Sequence, residues 1–563
     1  MHTEHATGTL QDIGSRDHSV TSEYRIFGPP GTGKTTNLSR QIRRAVERFG
    51  SESVLVTSFS RAAAAELAGR DLPVDPDRIG TLHSHCYRAL GAPQIAEANV
   101  DDWNRKYRQL EITPTRRQSK LDGEEAAEED GQAKAGDFWL QELNRFRGMM
   151  IPPEAWSANL RDFAKRWQEY KDALGLLDFT DLIETALRDI RVAPRNPAVI
   201  FADEAQDLNK MQLSLIRKWG EYCHYFIVSG DEDQTIFSFS GASPDAMLDP
   251  DIPDDHKIIL KQSYRVPRAV YAVADRFIRQ VSRRQEKVYL PRPADGACLR
   301  GPATGTYATP DDWVLKTAAG HFDKGQTVMF LATCAYMLKP IVAMLRKHGI
   351  PFHNPYRRSN GFWNPIRLGR KASSANRILA LLVAHPDFGE ARRDWTLADL
   401  ALWAEPLQSK GILRHGAKKK LQRVAGTEKV TIATLDQIFE SSALEGLLEA
   451  FEGDYRSFLR WWRRHVTADV QKRIQYPADV AMARGPQALL ETPKVVVGTI
   501  HSVKGGEADV VFLFPDLSPQ GLTAYRRHGP PRDAVIRTMY VGMTRARETL
   551  YLCAPSSSMA AAL

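Results

Sequence analysis

The sequence predicts an α/β protein of two units, each a parallel sheet flanked by helices and each interrupted by a helical insertion. Three observations lead there. Short apolar runs at 24–27, 54–56, 199–201 and 225–228 read as strands buried on both faces, and helical stretches alternate with them. The same alternation returns beyond Lys261, with strands expected at 327–331, 495–499, 509–514 and 549–553. Between about 89 and 177, and again between about 369 and 488, the strand signal vanishes and a charged helical pattern replaces it. At 563 residues the chain is too long for one core. The expected division is a disordered tail over 1–22, then a first unit at 23–88 and 178–260 around an insertion at 89–177. A second unit follows at 261–368 and 489–563, around an insertion at 369–488.

The first strand leads directly into residues 28–35, GPPGTGKT, and a helix is expected over 37–49. Gly28, Pro29, Pro30, Gly31, Thr32, Gly33, Lys34, Thr35 and Thr36 are therefore candidate phosphate-binding residues. Glycines let successive backbone N–H groups converge on phosphate oxygens, and the helix N-terminus adds partial positive charge. Lys34 offers a point charge to the β- and γ-phosphates, and Thr35 a hydroxyl to Mg²⁺. A strand before and a helix after is the context that separates this motif from a chance Gly/Pro turn. The expected ligand is a nucleoside triphosphate.

Hydrolysis needs carboxylates, and the run at 199–202 ends in Asp203-Glu204-Ala205-Gln206-Asp207. A buried strand can deliver one carboxylate to Mg²⁺ and a second beside the attacking water. Asp203 is the expected metal ligand and Glu204 the expected general base. The acidic run at 124–130 reads instead as a solvated loop.

Composition narrows the class. With 43% hydrophobic and 26% charged residues the chain resembles ordinary globular proteins. No apolar stretch is long enough to cross a bilayer and the N-terminal residues lack an apolar signal core, so a cytoplasmic protein without a membrane partner is expected. Five dispersed cysteines argue against zinc, an iron–sulfur cluster or a disulfide scaffold. A net charge of +8 tilts the choice of partner toward nucleic acid.

Further segments fall in a fixed order. They are TSFSRAA at 57–63, GTLHS at 80–84, GDEDQTIF at 230–237, QSYR at 262–265, TIHSVKGGE at 499–507 and YVGMTRAR at 540–547. With the glycine-rich loop and DEAQD, they resemble the UvrD/Rep branch of superfamily 1 helicases over about residues 24–553. The resemblance implies two RecA-like domains holding ATP and Mg²⁺ in their cleft, with single-stranded DNA crossing a shared face in the 3′→5′ direction and duplex opened at single-strand/double-strand junctions. It also implies roles. Gln234 would sense the γ-phosphate or orient the water, Arg265 and Arg545 would reach the γ-phosphate, Tyr264 would stack on adenine, and Glu507 would hold the ribose hydroxyl. Phe59, Phe237 and Phe239 would face the strand, and His83, Ser84 and His501 would lie near its backbone. Arg547 reads as a surface charge, and LDFTDL at 177–182 as structural.

This chain departs from the family at several points. Phe239 and Ser240 stand where the family shows tryptophan and arginine, and Gly506 and Ala508 replace bulkier apolar residues. The upstream glutamine segment is not recognisable, Gln11 being in the wrong context, and the second insertion is short. Within it, the basic runs at 460–465 and 418–420 are candidate duplex contacts, weighed against a core role for the tryptophans and solvated lysines. Two other readings remain from the sequence. One is a translocase that strips proteins or remodels DNA ends. The other is a nucleotide-gated DNA-binding subunit of a repair or phage-defence complex, with a protein partner.

Overall fold

The computed structural model describes residues 22–115, 134–302, 306–356, 364–366, 373–423 and 426–563. The expected tail (except Ser22), Gln11 and the acidic run at 124–130 lie outside the described residues. The chain forms two compact units. One takes residues up to 300 with 500–552 and 557–563; the other takes 301–499 with 553–556.

In the first unit, β1 (Ser22–Phe27), β2 (Val54–Ser58), β3 (Ile79–Thr81), β4 (Val199–Asp203), β5 (Tyr225–Gly230) and β6 (Lys257–Ile259) form a parallel sheet in the order β3-β2-β4-β5-β1-β6. Every residue of β2 and β4 is buried, because helices cover both faces. Successive side chains go to opposite sides. Leu55, Ile200, Phe226 and Val228 pack with the helices Leu82–Ala89, Phe179–Asp189 and Lys210–Gly220. Val54, Val56, Phe201 and Ile227 pack on the other face with Leu38, Ile42 and Leu67.

Strand order decides what meets at the sheet's C-terminal edge. β5 lies between β4 and β1, so DEAQD, GDEDQ and the glycine-rich loop emerge side by side. β2 and β3 end beyond β4, and there the chain delivers Phe59, His83 and Ser84. In open α/β sheets ligands bind outside these carboxyl ends.

Within 89–177, the helices Ala135–Gly148 and Ala158–Leu174 close over buried Trp103 and Trp167, whose rings meet edge-on at 5.1 Å. A methyl group at Gly136 would stand 2.2 Å from the Leu110 carbonyl oxygen, so the backbones touch only because that residue is glycine. The block at 177–182 is knotted by charge. Asp178 and Asp181 cap the helix Phe179–Asp189, and the same carboxylates bind Lys171 at 2.7 and 2.6 Å and Arg147 at 3.0 and 2.6 Å.

The first unit continues with β7 (Gln262–Pro267), β8 (Leu290–Arg292) and β9 (Ala297–Arg300). The second unit holds β10 (Val328–Ala332), β11 (Phe352–His353) and β12 (Val495–Thr499), where β12 pairs in parallel with both others. Back in the first unit, β13 (Ala508–Leu513) pairs with β14 (Ala546–Leu552), and β14 with β9, again in parallel. In the second unit Trp403 stacks on Phe458, Trp461 and Trp462, at 5.4, 5.9 and 6.2 Å. Both adjacent tryptophans of the 460–465 run are therefore core, and that helix turns Arg456, Arg460 and Arg464 outward at helical spacing.

Candidate active site

Gly31 and Gly33 take left-handed backbone angles (φ 73° and 74°), which side-chain-bearing residues avoid. At Gly28 a methyl group would stand 2.9 Å from the Lys34 side chain, which lies across the loop. The Thr32 amide and hydroxyl both donate to the Pro29 carbonyl, closing the turn. The helix Lys34–Phe49 then starts on Gly33 without a side-chain cap hydrogen bond, so its N-cap residue does not compete with a ligand for the first N–H groups.

Lys34 Nζ forms an ion pair with Glu204 Oε1. Burial is the largest influence on the ammonium and acts against its charge, but Glu204, then Asp203, raise its pKa. Burial likewise works against the Glu204 carboxylate, yet Lys34 and Lys504 keep it ionised and its pKa low. For Asp203 burial wins and its pKa rises, with Glu204 adding repulsion and Lys34 opposing. Glu204 itself has φ 52°, a strained angle outside glycine, which turns its carboxylate away from the line of β4. Asp203 Oδ1 is buried and accepts no hydrogen bond. A bare carboxylate oxygen of this kind, with the Thr35 hydroxyl as a second hard donor, fits Mg²⁺.

Two residues not assigned from the sequence complete this cluster. Lys504 Nζ binds Asp207 Oδ2, donates to the Gln234 carbonyl at 3.1 Å and lies 3.9 Å from Glu204 Oε2. Burial pushes Asp207 up to about 6 although Lys504 pulls the other way.

Arg265 lies against the glycine-rich loop, and Arg545 meets Gln234. The Tyr264 amide donates to the Gly31 carbonyl at 2.7 Å and the Ser263 hydroxyl to the Pro30 carbonyl at 2.8 Å, so β7 lies along the glycine-rich loop. Arg265 Cβ is 2.4 Å from where a Gly31 Cβ would stand. Arg545 is 1% exposed and donates to Val541, Gly506 and Gln234 Oε1 at 3.0, 3.2 and 3.1 Å. Burial, then repulsion from Arg265, brings its pKa down to about 9, which leaves it charged at neutral pH. Gln234 is fixed from both ends, since its amide N–H also donates to Asp231 Oδ2 at 2.7 Å. Tyr264 is 68% exposed beside the loop. Glu507 is bound by Arg265 at 2.7 Å and by Arg547 at 2.6 Å, the latter with its side chain 44% exposed.

The residues expected to face DNA divide in two. Phe59, Phe237, Phe239 and His501 form one aromatic cluster, with centroid separations of 5.5 to 6.0 Å. Phe237 is buried under it and Phe239 is 37% exposed, and the Lys504 ammonium stands 5.1 Å from the Phe237 ring. His501 Nε2 meets the Ile236 carbonyl at 3.1 Å, and burial lowers its pKa to about 4, so at neutral pH it is uncharged. His83 contacts Phe179 edge-on, and the Ser84 hydroxyl donates to the Thr81 carbonyl at 2.7 Å.

His85, on the same helix, makes a pH prediction. Its Nε2 meets the Val56 carbonyl and its Nδ1 meets Arg88 Nη2, both at 3.1 Å, which selects the neutral tautomer. Burial holds its pKa down at about 4 although the Val56 carbonyl favours the proton. The unfolded chain, titrating near the ordinary value of 6.5, binds the proton first as pH falls. Stability from His85 is therefore present above 6.5 and lost as pH falls toward 4, by about 3 kcal/mol for a shift of this size. Denaturant melts between about pH 7 and pH 4.5 should show a steeper loss in wild type than in His85→Gln. Parallel curves would refute this account.

Sheet order, glycine-rich loop and strand-end carboxylates together define a P-loop nucleotide-binding protein with RecA-like architecture. Family models of the UvrD/REP helicase N-terminal domain and the UvrD-like helicase C-terminal domain match residues 14–252 and 494–553. The chain belongs to the UvrD/Rep helicase family. It is similar to the ATP-dependent DNA helicase UvrD1 of Mycobacterium tuberculosis, 27% identical over 304 residues, with 47% of this chain and 38% of that protein covered. It is similar also to the ATP-dependent DNA helicase PcrA of Staphylococcus aureus, 22% identical over 609 residues, with 95% and 81% covered. The chain thus spans about two fifths of the length of the mycobacterial relatives and most of the staphylococcal ones. Among the described residues no helix is long and apolar enough to cross a membrane.

Proposed function

We propose that this protein is a DNA-stimulated ATPase that moves 3′→5′ along single-stranded DNA and opens duplex at a junction, acting in the cytoplasm in DNA repair, replication or recombination. The observation that carries the proposal is the gathering of Lys34, Glu204, Gln234, Arg265 and Arg545 around one glycine-rich loop. In this reading residues 23–88 with 178–260, and 261–368 with 489–563, are RecA-like domains. Residues 89–177 and 369–488 are their insertions.

ATP lays its triphosphate on residues 28–36, where Lys34 exchanges Glu204 for phosphate oxygens. That exchange frees the Glu204 carboxylate to take a proton from the attacking water. Thr35 and Asp203 would hold Mg²⁺, which supplies charge neutralisation for the phosphates. Gln234 orients the water, and Arg265 and Arg545 stabilise charge developing on the γ-phosphoryl oxygens. Tyr264 offers its exposed ring to the adenine. Glu507 turns to the ribose once Arg265 leaves it for phosphate.

On the strand side, Phe59 and Phe239 stack with bases over the buried Phe237, each base contributing about 1–3 kcal/mol. His83, Ser84 and His501 line the strand's backbone path. Lys504 touches both halves of this arrangement, since one ammonium meets Asp207, the Gln234 carbonyl and the Phe237 ring. A strand pressing on the aromatic cluster therefore has a short route to the hydrolytic groups.

Saturating single-stranded DNA should raise kcat for ATP hydrolysis by at least about tenfold. A duplex with a 3′ tail should be unwound, and a blunt or 5′-tailed duplex should not. An ATPase rate indifferent to DNA would remove the motor reading.

A further inference from the structure

We propose that Lys287 is a positioning residue for hydrolysis. Through Asp231 it sets the orientation of the Gln234 amide, and through that amide the seat of Arg545. The inference rests on Gln234 and Arg545 acting at the γ-phosphoryl group as proposed above.

Asp231, Glu232 and Asp233 are consecutive and wholly buried. Three carboxylates side by side in an interior are unfavourable unless a cation joins them. Lys287 is that cation. Its ammonium is 2.8 Å from Asp231 Oδ1, 2.5 Å from Glu232 Oε1 and 3.0 Å from Asp233 Oδ2. These oxygens are close enough together to hold a metal ion, but the ammonium already stands against all three. Arg284 adds a two-pronged contact to Asp233, at 2.6 and 3.1 Å, and the Gln285 amide donates to Glu232 at 2.9 Å.

The consequence follows from planar geometry. Asp231 Oδ1 is held by Lys287 and by the Asp233 amide at 3.2 Å, which fixes where Oδ2 points. Oδ2 accepts from Gln234 Nε2 at 2.7 Å. A primary amide that gives its N–H to a carboxylate turns its carbonyl to the opposite side, and there Arg545 Nη2 meets it at 3.1 Å. Were Asp231 free to turn, the amide could flip and set N–H donors against the guanidinium. A lysine outside every motif thus fixes the polarity of a hydrogen-bond chain ending on the arginine.

The test is steady-state ATPase with saturating single-stranded DNA, alongside the affinity for a fluorescent ATP analogue. Lys287→Met should lower kcat by about 100-fold, with KM and analogue affinity within about twofold. Met leaves three buried carboxylates with only Arg284 in contact and Arg537 near by, so a second variant covers the case of a protein that does not fold. Asp231→Asn keeps the shape, but Lys287 claims the asparagine oxygen. Gln234 then meets an N–H and must present its carbonyl there, turning its own N–H toward Arg545. It should lower kcat to a similar degree, and either change should add little in a Gln234→Ala background. If Gln234→Ala lowers kcat while Asp231→Asn matches wild type, the positioning role is wrong. If Gln234→Ala itself leaves kcat unchanged, the site reading beneath it fails as well.

Discussion

Replacing Arg545 with alanine should lower kcat for ATP hydrolysis by about 10³-fold or more while changing KM for ATP little. The side chain is buried and fixed by two backbone carbonyls and by Gln234 Oε1. It therefore loses little freedom when charge develops on the phosphoryl group, and preorganisation of this kind acts on the transition state more than on ground-state binding. Its pKa of about 9 keeps the guanidinium charged under working conditions. Arg545→Lys should not rescue the rate, because a point charge cannot reproduce the planar fork that spans Val541, Gly506 and Gln234. Melting curves should accompany the kinetics, since truncating a buried side chain also costs stability. A folded Arg545→Ala protein with wild-type kcat would end the proposal that this guanidinium acts in hydrolysis.

Lys34→Ala should act on binding as well as on rate. The missing ammonium removes the point charge for the β- and γ-phosphates, and kcat should fall by about 10²–10³-fold with nucleotide affinity weakened in parallel. A second effect appears without nucleotide. Glu204 owes its low pKa chiefly to Lys34, with Lys504 at 3.9 Å as the remaining cation. In the folded protein that carboxylate is depressed, so its contribution to stability is present above the unfolded carboxylate value and lost as pH falls through the folded one. Lys34→Ala reduces this contribution. Isothermal titration with an ATP analogue and melting curves on the same preparation should therefore both shift. Undiminished nucleotide affinity would contradict the assignment of Lys34.

The parts of this arrangement that were legible in the sequence are those whose chemistry is local. The loop at 28–35 announces itself because strand, glycines and lysine are contiguous, and β12 runs over the 495–499 that its apolar residues suggested. Asp203 and Glu204 stand at the end of an apolar strand, where both pattern and residue type agree. Lys287, Arg284 and Lys504 were not legible. Each is one basic residue among 76 lysines and arginines, and only tertiary folding brings it to carboxylates 51 to 297 positions away in sequence. Arg547 keeps a side chain 44% exposed, and its pairing with Glu507, 40 positions earlier in the chain, leaves no local pattern in the sequence. The Trp461-Trp462 pair was ambiguous because a short aromatic run has no period of its own, and the ring of Trp403 that stacks against both comes from another helix.

The contact between Gly31 and β7 carries a mechanical consequence. A hydrogen bond from Tyr264 and a gap too narrow for a methyl group seat the phosphate grip directly against the strand bearing Arg265. Any displacement of that strand against the loop must first break this hydrogen bond, so a nucleotide settling on the loop acts directly on the neighbour of Arg265.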